Sequence, residues 1–254
     1  MGGALLDGWL DRGLPPQDIV IVEPHEALRR ARPQLRVVAD RDAVPEDFRP
    51  QVVVLAVKPQ MMDAVLPAYA GLGGAAFLSI AAGKPLGYFA GVLGDGVPVV
   101  RAMPNTPASV RRGVTVATAN RLVDAPQRAV CDELLSAVGE VAWVEDESLM
   151  DAVTALSGSG PAYVFLLAEA MAAAGVAAGL PDVLAERLAR ATVSGAGELL
   201  RQSSDGAATL RQNVTSPGGT TFAALQVLMA DDGLFPLMRR AIAAAARRSR
   251  ELAG

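Results

Sequence analysis

An abrupt change of hydrophobic pattern near residue 147 constrains this chain more than any motif in it. Between Asp18 and Glu145, short β-branched runs at 19–22, 52–57, 77–80, 97–101, 114–116 and 141–144 alternate with stretches of helical spacing. Continuous apolar strands separated by helices are what a parallel sheet covered on both faces requires. After Glu147 the β-branched runs stop. Ala- and Leu-rich segments of helical period take their place at about 148–155, 161–178, 181–202, 207–213, 220–229 and 234–252, with Pro161 and Pro181 at favoured first-turn positions. The pattern predicts a doubly wound parallel α/β sheet over 1–147 and an all-helical domain over 148–254, with no internal repeat and no low-complexity linker.

With 254 residues, 51% of them hydrophobic, the chain can fill one large core or two smaller ones. A net charge of −4, with Lys and Arg nowhere gathered into an extended stripe, argues against a nucleic-acid partner. The nearest approach to a stripe, Arg239, Arg240, Arg247, Arg248 and Arg250, reads as a helix C-terminus matched to its dipole and a solvated face. Cys131 is the only cysteine, so no disulfide framework or thiolate metal site is expected, and a reducing cytoplasm fits. No basic region followed by an apolar run opens the sequence. The apolar stretch 161–180, rich in Ala and Gly and carrying Glu169, reads as a helix buried between other helices rather than a membrane span, so no membrane partner is expected.

Residues 213–221, Asn213-Val214-Thr215-Ser216-Pro217-Gly218-Gly219-Thr220-Thr221, put two glycines and four hydroxyls beside a helix start. Pro217 restricts one backbone angle, Gly218 and Gly219 permit unusual ones, and Thr220 and Thr221 can cap the helix that Phe222 begins. Free N–H groups at that N-terminus suit a carboxylate or phosphate, although the same residues also make an ordinary capped turn.

The first residues, 1–10, read as a helix already under way. In a Rossmann-like dinucleotide fold, a strand and a Gly-x-Gly-x-x-Gly turn precede the first helix, and an acid about 20 positions on meets the ribose. Gly3, with Gly2 before it, fits the last glycine of that turn, and Glu23 at the end of the 19–22 run fits the acid; read alone, both also fit an ordinary helix and strand end. On this reading the sequence lacks the central first strand and most of the phosphate turn, and the natural product is expected to carry an N-terminal extension that supplies both. Three later segments leave strands at the ligand-facing edge: Ala56-Val57-Lys58-Pro59-Gln60, Ser79-Ile80-Ala81-Ala82-Gly83, and residues 101–107 with Asn105. Small residues there let a planar ring approach the backbone, and Asn105 can read an amide; singly, each is also a plain strand-ending turn.

The run 147–163, together with Val57-Lys58-Pro59, Met103-Pro104-Asn105 and the 213–221 cradle, resembles pyrroline-5-carboxylate reductases, the last enzymes of proline biosynthesis. The resemblance extends in order from Met1 to Leu252 and is most specific at 157–163 and 216–221. It implies reduction of the cyclic imine 1-pyrroline-5-carboxylate to L-proline by hydride from NADPH or NADH. It implies that Gly219, Thr220 and Thr221, with Ser216 and Asn213 nearby, bind the substrate carboxylate, and that Glu147 and Thr154 face the ring, with Thr154 at the imine nitrogen. Ala56, Val57, Lys58, Pro59, Ile80, Ala81 and Ala82 would line the cofactor. The helical region becomes a dimerisation domain, and the partners are further copies of the chain: a homo-oligomer of interlocked dimers, extending to a decamer.

The residues present agree with that chemistry. His25, the only histidine, lies beside Glu23 and far from the cradle, so a histidine acid at the reacting carbon is not expected. A protonated imine needs none; orientation and a neutral hydrogen-bonding group near nitrogen suffice. Thr154 suits that role, and is otherwise a helix residue bonding its own backbone. Glu23 would repel a 2′-phosphate and accept from a free 2′-hydroxyl, which favours NADH, while Arg29 and Arg30 nearby pull the other way. Two alternatives share the plan. A related imine or β-hydroxyacid dehydrogenase would ordinarily use a lysine or aspartate on the first interdomain helix, and no lysine follows Lys84. A non-catalytic oligomerising protein would keep the helices and bind no nucleotide.

Overall fold

The computed structural model describes residues 1–253, which divide into two compact units, 1–158 with 247–253, and Ser159–Ala246. In the first unit, α1 (Gly2–Asp11) leads to β1 (Val20–Val22), α2 (Glu26–Arg30), β2 (Arg36–Val38), β3 (Val52–Leu55), α3 (Met62–Val65), β4 (Ala76–Ser79), α4 (Leu86–Leu93), β5 (Val99–Met103), β6 (Gly113–Ala119), α5 (Ala125–Ser136) and β7 (Gly139–Trp143). β1 pairs in parallel with β2, and β3-β4-β5-β6-β7 form a second, five-stranded sheet in chain order. Pairing is parallel except between β5 and β6. The wholly parallel sheet expected from the apolar runs therefore has one reversal. Only residues 104–112 join β5 to β6, and a parallel return needs a crossover of a dozen residues or more. β2 has no counterpart among the expected runs, because only Val37 and Val38 of its three residues are apolar.

Consecutive strand residues point to opposite faces, and both faces are covered. Phe77 and Val99 pack with Leu55, Met62, Leu66 and Phe89 on one side. Leu78 and Val100 pack with Ala117, Cys131 and Leu135 of α5 on the other. Each Val, Leu, Phe or Met among them contributes about 1.5–3 kcal/mol by leaving water. α1 closes a third cluster through Leu5, against Ala108 and Val138, and Trp9 Nε1 donates to the Leu134 carbonyl at 2.8 Å. α5 is fixed at its start by a reciprocal cap between Asp124 and Gln127.

A helical segment follows β7: a 3₁₀ turn (Glu147–Leu149), α6 (Met150–Val153) and a π-helical turn (Thr154–Gly158). Its lack of β-branched runs groups it with the helical half of the sequence, yet it belongs to the first compact unit, as does the end of α11. Arg101 of β5 bonds its beginning and Asn105 its end, and Ser249 Oγ donates to Asp151 Oδ1 at 2.6 Å.

The second unit holds α7 (Gly160–Ala177), α8 (Asp182–Gln202), α9 (Ala207–Asn213), α10 (Thr220–Leu228) and most of α11 (Leu234–Ala253). α7 and α8 form a hairpin turned at Gly179, whose φ of +100° favours glycine. They approach through small residues: a Cβ on Gly175 would lie 3.3 Å from Ala185 Cβ. The stretch 161–180 was expected to lie buried between helices; instead α7 has no buried residue. It is apolar all round and α8 covers one flank, so Phe165 stays 67% exposed on α7 and Val183 82% on α8. Among the described residues, Glu147–Ala177 alone is long and apolar enough to cross a membrane by length and composition, with a mean hydropathy of 1.5.

Two measurements test the first unit's packing. Burial pushes the Cys131 thiol up to about 12, so it stays neutral across the physiological range. A thiol reagent at pH 8 is expected to label nothing in the folded protein and its single cysteine in denaturant. Gly139 pairs with Gly113 across β6–β7 at φ +151°, and a Cβ there would collide with the Gly113 backbone. Gly139→Ala should destabilise the protein by roughly 2 kcal/mol or more in chemical denaturation.

Candidate active site

The segments expected to hold a dinucleotide lie at strand ends of the first unit. α1 begins at Gly2 with no side-chain cap, which leaves its first-turn N–H groups open. Its missing Cβ matters, because one on Gly2 would lie 3.0 Å from Ala56 Cβ, just beyond β3. Ala56 and Lys58 are exposed, Val57 packs into the core below, and Pro59 opens a 3₁₀ turn. After β4, Ile80 packs against Leu5, Ala81 is buried with its N–H donated to Ser79 Oγ at 3.2 Å, and Ala82 is exposed. Glu23 follows β1; its Oε1 accepts the His25 N–H at 2.9 Å, and Arg29 Nη1 donates to the Glu23 and Pro24 carbonyls at 2.9 and 2.6 Å. Gly3 lies beside Arg32, which pairs with Asp7 at 2.6 Å and, mainly through that hydrogen bond, holds the Asp7 carboxyl below its usual range.

Asn105, expected to read a ligand's amide, makes bonds within the protein at both ends of its side chain. Its Oδ1 accepts the Val114 N–H at 3.0 Å and its Nδ2 donates to the Ser157 carbonyl at 3.3 Å. Both ends of the amide therefore tie the β5–β6 link and the π turn together.

Glu147 and Thr154 sit on the segment after β7. Glu147 Oε1 accepts from Arg101 Nη1 at 2.7 Å and from the N–H of Leu86, the first residue of α4, at 2.8 Å. Arg101 was not among the expected site residues. The signal was present, since a charge in an apolar run bounded by Val100 and Ala102 has to find a partner when the strand is buried on both faces. Thr154 is half-buried, and its Oγ1 donates to the Met150 carbonyl at 2.8 Å. With the proton so directed, the hydroxyl presents lone pairs to any other partner. A Cβ on Gly158 would collide with Met103 Cε, so the Met103 side chain at β5's end lies directly against the backbone of the π turn. π turns of this kind recur at functional sites.

The cradle belongs to the second unit, between α9 and α10. Thr215 Oγ1 donates to the Arg211 carbonyl at 2.7 Å, and the Gly219 N–H donates to the Ser216 carbonyl at 3.0 Å. Gly218 is left-handed, at φ +68°, and Ser216 Oγ occupies the place a Cβ on Gly219 would take. The helix starts at Thr220, as the span 220–229 has it, but Gly219 is the N-cap, and Thr220 and Thr221 form the first turn instead of capping a helix begun by Phe222. An extended glycine in that position leaves the turn without a side-chain cap, so its N–H groups face outward with the positive end of the helix dipole. Asn213, Ser216 and Thr220 are exposed around it, and Gly219 and Thr221 half-buried.

Residues 147–252 match the family described as pyrroline-5-carboxylate reductase dimerisation, and residues 1–83 one described as coenzyme F420-dependent NADP oxidoreductase. A pyrroline-5-carboxylate reductase of Synechocystis sp. is 44% identical over 99% of this chain and 96% of its own length. That of Pseudomonas aeruginosa is 42% identical over 100% and 93%. Among solved structures, a pyrroline-5-carboxylate reductase from Coxiella burnetii superposes with a TM-score of 0.92 at 35% identity, covering 100% of this chain and 95% of that one. The Plasmodium falciparum pyrroline carboxylate reductase with NADP bound gives 0.83 at 26% identity, with the same coverage. With relatives this similar along nearly its whole length, the chain belongs to the pyrroline-5-carboxylate reductase family.

Proposed function

We propose that this protein reduces the C=N bond of 1-pyrroline-5-carboxylate to give L-proline, using NADPH or NADH. The observation that carries the reading is the uncapped, glycine-started α10 in a chain 44% identical to a protein named for that reaction. A bound nicotinamide dinucleotide would supply the hydride. Residues that fit it are the exposed Gly3, Ala56, Lys58 and Ala82 and the half-buried Gly2 and Pro59, with Glu23 toward the ribose. Val57, Ile80 and Ala81 offer it backbone while their side chains serve the core, and Asn105 shapes the same edge from beneath.

The substrate carboxylate takes the first-turn N–H groups of Thr220 and Thr221 above Gly219, with the Thr221 hydroxyl, Ser216 and Asn213 around it. Thr154 serves the nitrogen. A neutral imine nitrogen offers only a lone pair, which a hydroxyl already donating to Met150 cannot satisfy, whereas a protonated imine offers an N–H that Thr154 Oγ1 accepts. The ring thus binds as its cation, and hydride addition at carbon leaves a secondary amine with no further proton demanded of the protein. This accounts for a site without histidine. The protein is a homo-oligomer, and we infer that the exposed faces of α7 and α8 build an interlocked dimer, with a decamer as the larger assembly and the cytoplasm as its place.

Oxidation of NADH and NADPH by the purified chain with 1-pyrroline-5-carboxylate tests the reading, and no turnover with either overturns it. Thr221→Ala should raise the KM for the imine by about tenfold, the equivalent of one hydrogen bond, and alter the cofactor KM far less. Thr154→Val, which removes only the hydroxyl, should lower kcat by roughly ten- to a hundredfold; unchanged kinetics would remove Thr154 from the site.

A further inference from the structure

The turn after β1 carries charges of both signs, and the fold decides which of them a ligand meets. The Glu23 N–H donates to the Val38 carbonyl at 2.9 Å, so the backbone of Glu23 prolongs the β1–β2 ladder and its half-buried side chain stands at the carboxyl edge of that pair. Oε1 accepts the His25 N–H at 2.9 Å, which fixes the carboxylate over the turn; among the described residues Oε2 accepts no hydrogen bond and the carboxylate has no ion-pair partner. The neighbouring arginines are committed elsewhere. Arg29 Nη1 donates to the Glu23 and Pro24 carbonyls at 2.9 and 2.6 Å, Arg30 pairs with Glu26, and Arg32 pairs with Asp7 at 2.6 Å. The adjoining end of β2 adds the exposed Asp40 and Asp42, while Arg41 between them lies within electrostatic reach of the half-buried Tyr69. The uncapped start of α1 belongs to the same locale, because a Cβ on Gly3 would lie 4.0 Å from Arg32 Nη2. A dinucleotide whose diphosphate meets α1 therefore brings its adenosine ribose to the turn after β1.

We propose that this chain selects NADH over NADPH, with the Glu23 carboxylate as the specificity-determining group. The two dinucleotides differ only at the 2′ position of that ribose. NADH presents a hydroxyl, whose proton the open Oε2 accepts; NADPH presents an anionic phosphate, which the same oxygen repels. Favouring the phosphate would require a cation to turn toward it. Arg29 would have to leave two backbone carbonyls that close the turn, or Arg30 and Arg32 their carboxylates, and Asp40 and Asp42 would still stand nearby. The proposal rests on the reading that a nicotinamide dinucleotide binds along this edge with Glu23 toward the ribose, and goes beyond it in naming which dinucleotide and why.

Fluorescence titration with NADH and with NADPH, in the absence of the imine, gives a dissociation constant for each, and kcat/KM for each follows from oxidation with 1-pyrroline-5-carboxylate. NADPH should bind wild type about tenfold or more weakly than NADH. Glu23→Gln keeps an acceptor for the His25 N–H and for the ribose hydroxyl while removing the charge, so the ratio of the two constants should fall several-fold, chiefly because NADPH binds more tightly. Arg29→Ala and His25→Ala should each change both constants by a common factor. Equal binding of the two dinucleotides, or tighter binding of NADPH, overturns the proposal. So does an unchanged ratio in a Glu23→Gln protein of wild-type thermal midpoint, and so does selective weakening of NADPH in either of the other variants, which would place a basic side chain on the phosphate. Should Glu23→Gln fail to fold, the wild-type ratio still decides. Preferential binding of NADH without turnover of the imine sinks the reaction assignment and leaves the selectivity standing; turnover with NADPH preferred sinks the selectivity alone.

Discussion

Burial of both faces of β4 and β5 is the constraint on which the first unit depends. Phe77, Leu78, Val99 and Val100 are wholly excluded from water, and strands of that kind persist only with a layer of structure on each side. That requirement draws α4 to one face and α5 to the other and obliges the chain to cross over between parallel neighbours. It also makes a charge in β5 consequential. Arg101 cannot reach bulk water, so the helical segment that follows β7 has to begin where Glu147 meets it. The strand at the centre of the sheet thereby dictates where that element starts.

The ligand-facing features share a different economy of means, in which backbone replaces side chain. At α1 and α10 the first-turn N–H groups are left uncapped, and in each case a glycine stands at or beside the helix start. Gly2 lets α1 come close to Ala56, and Gly219 makes room for Ser216 Oγ. Amides held by a helix are fixed in direction and partly charged, which suits anionic groups such as phosphate and carboxylate without committing a lysine or arginine. The chemistry assigned to Thr154 follows the same logic: a neutral hydroxyl whose proton is already placed on Met150 recognises a cation by its lone pairs.

Much of this was legible in the residues. The change of pattern near 147 separated strands from helices, and α7, α8, α9, α10 and α11 fall within a few residues of the spans read from apolar period and proline. Short apolar runs likewise marked β1 and β3 to β7. β2 escaped because two valines make no pattern, and the reversal at β6 because strand direction is a property of the connection, not of the strand. The 213–221 turn announced itself by composition, but which residue caps α10 depended on a ψ of 175° at Gly219 that no residue type encodes.

What the sequence determined by itself was therefore the local and periodic: element type, the two-part division of pattern, the glycine-rich turns, and a threonine on the segment after β7. Only the tertiary structure decided who meets whom. Asn105 bonds Val114 and Ser157, Glu147 meets Arg101 and Leu86, and α7, within the single chain, keeps its apolar flanks open. The physical reason is common to all three. A polar or apolar side chain states a need for a partner, but partners 46 or 52 residues away are chosen by the fold that brings them within hydrogen-bond distance.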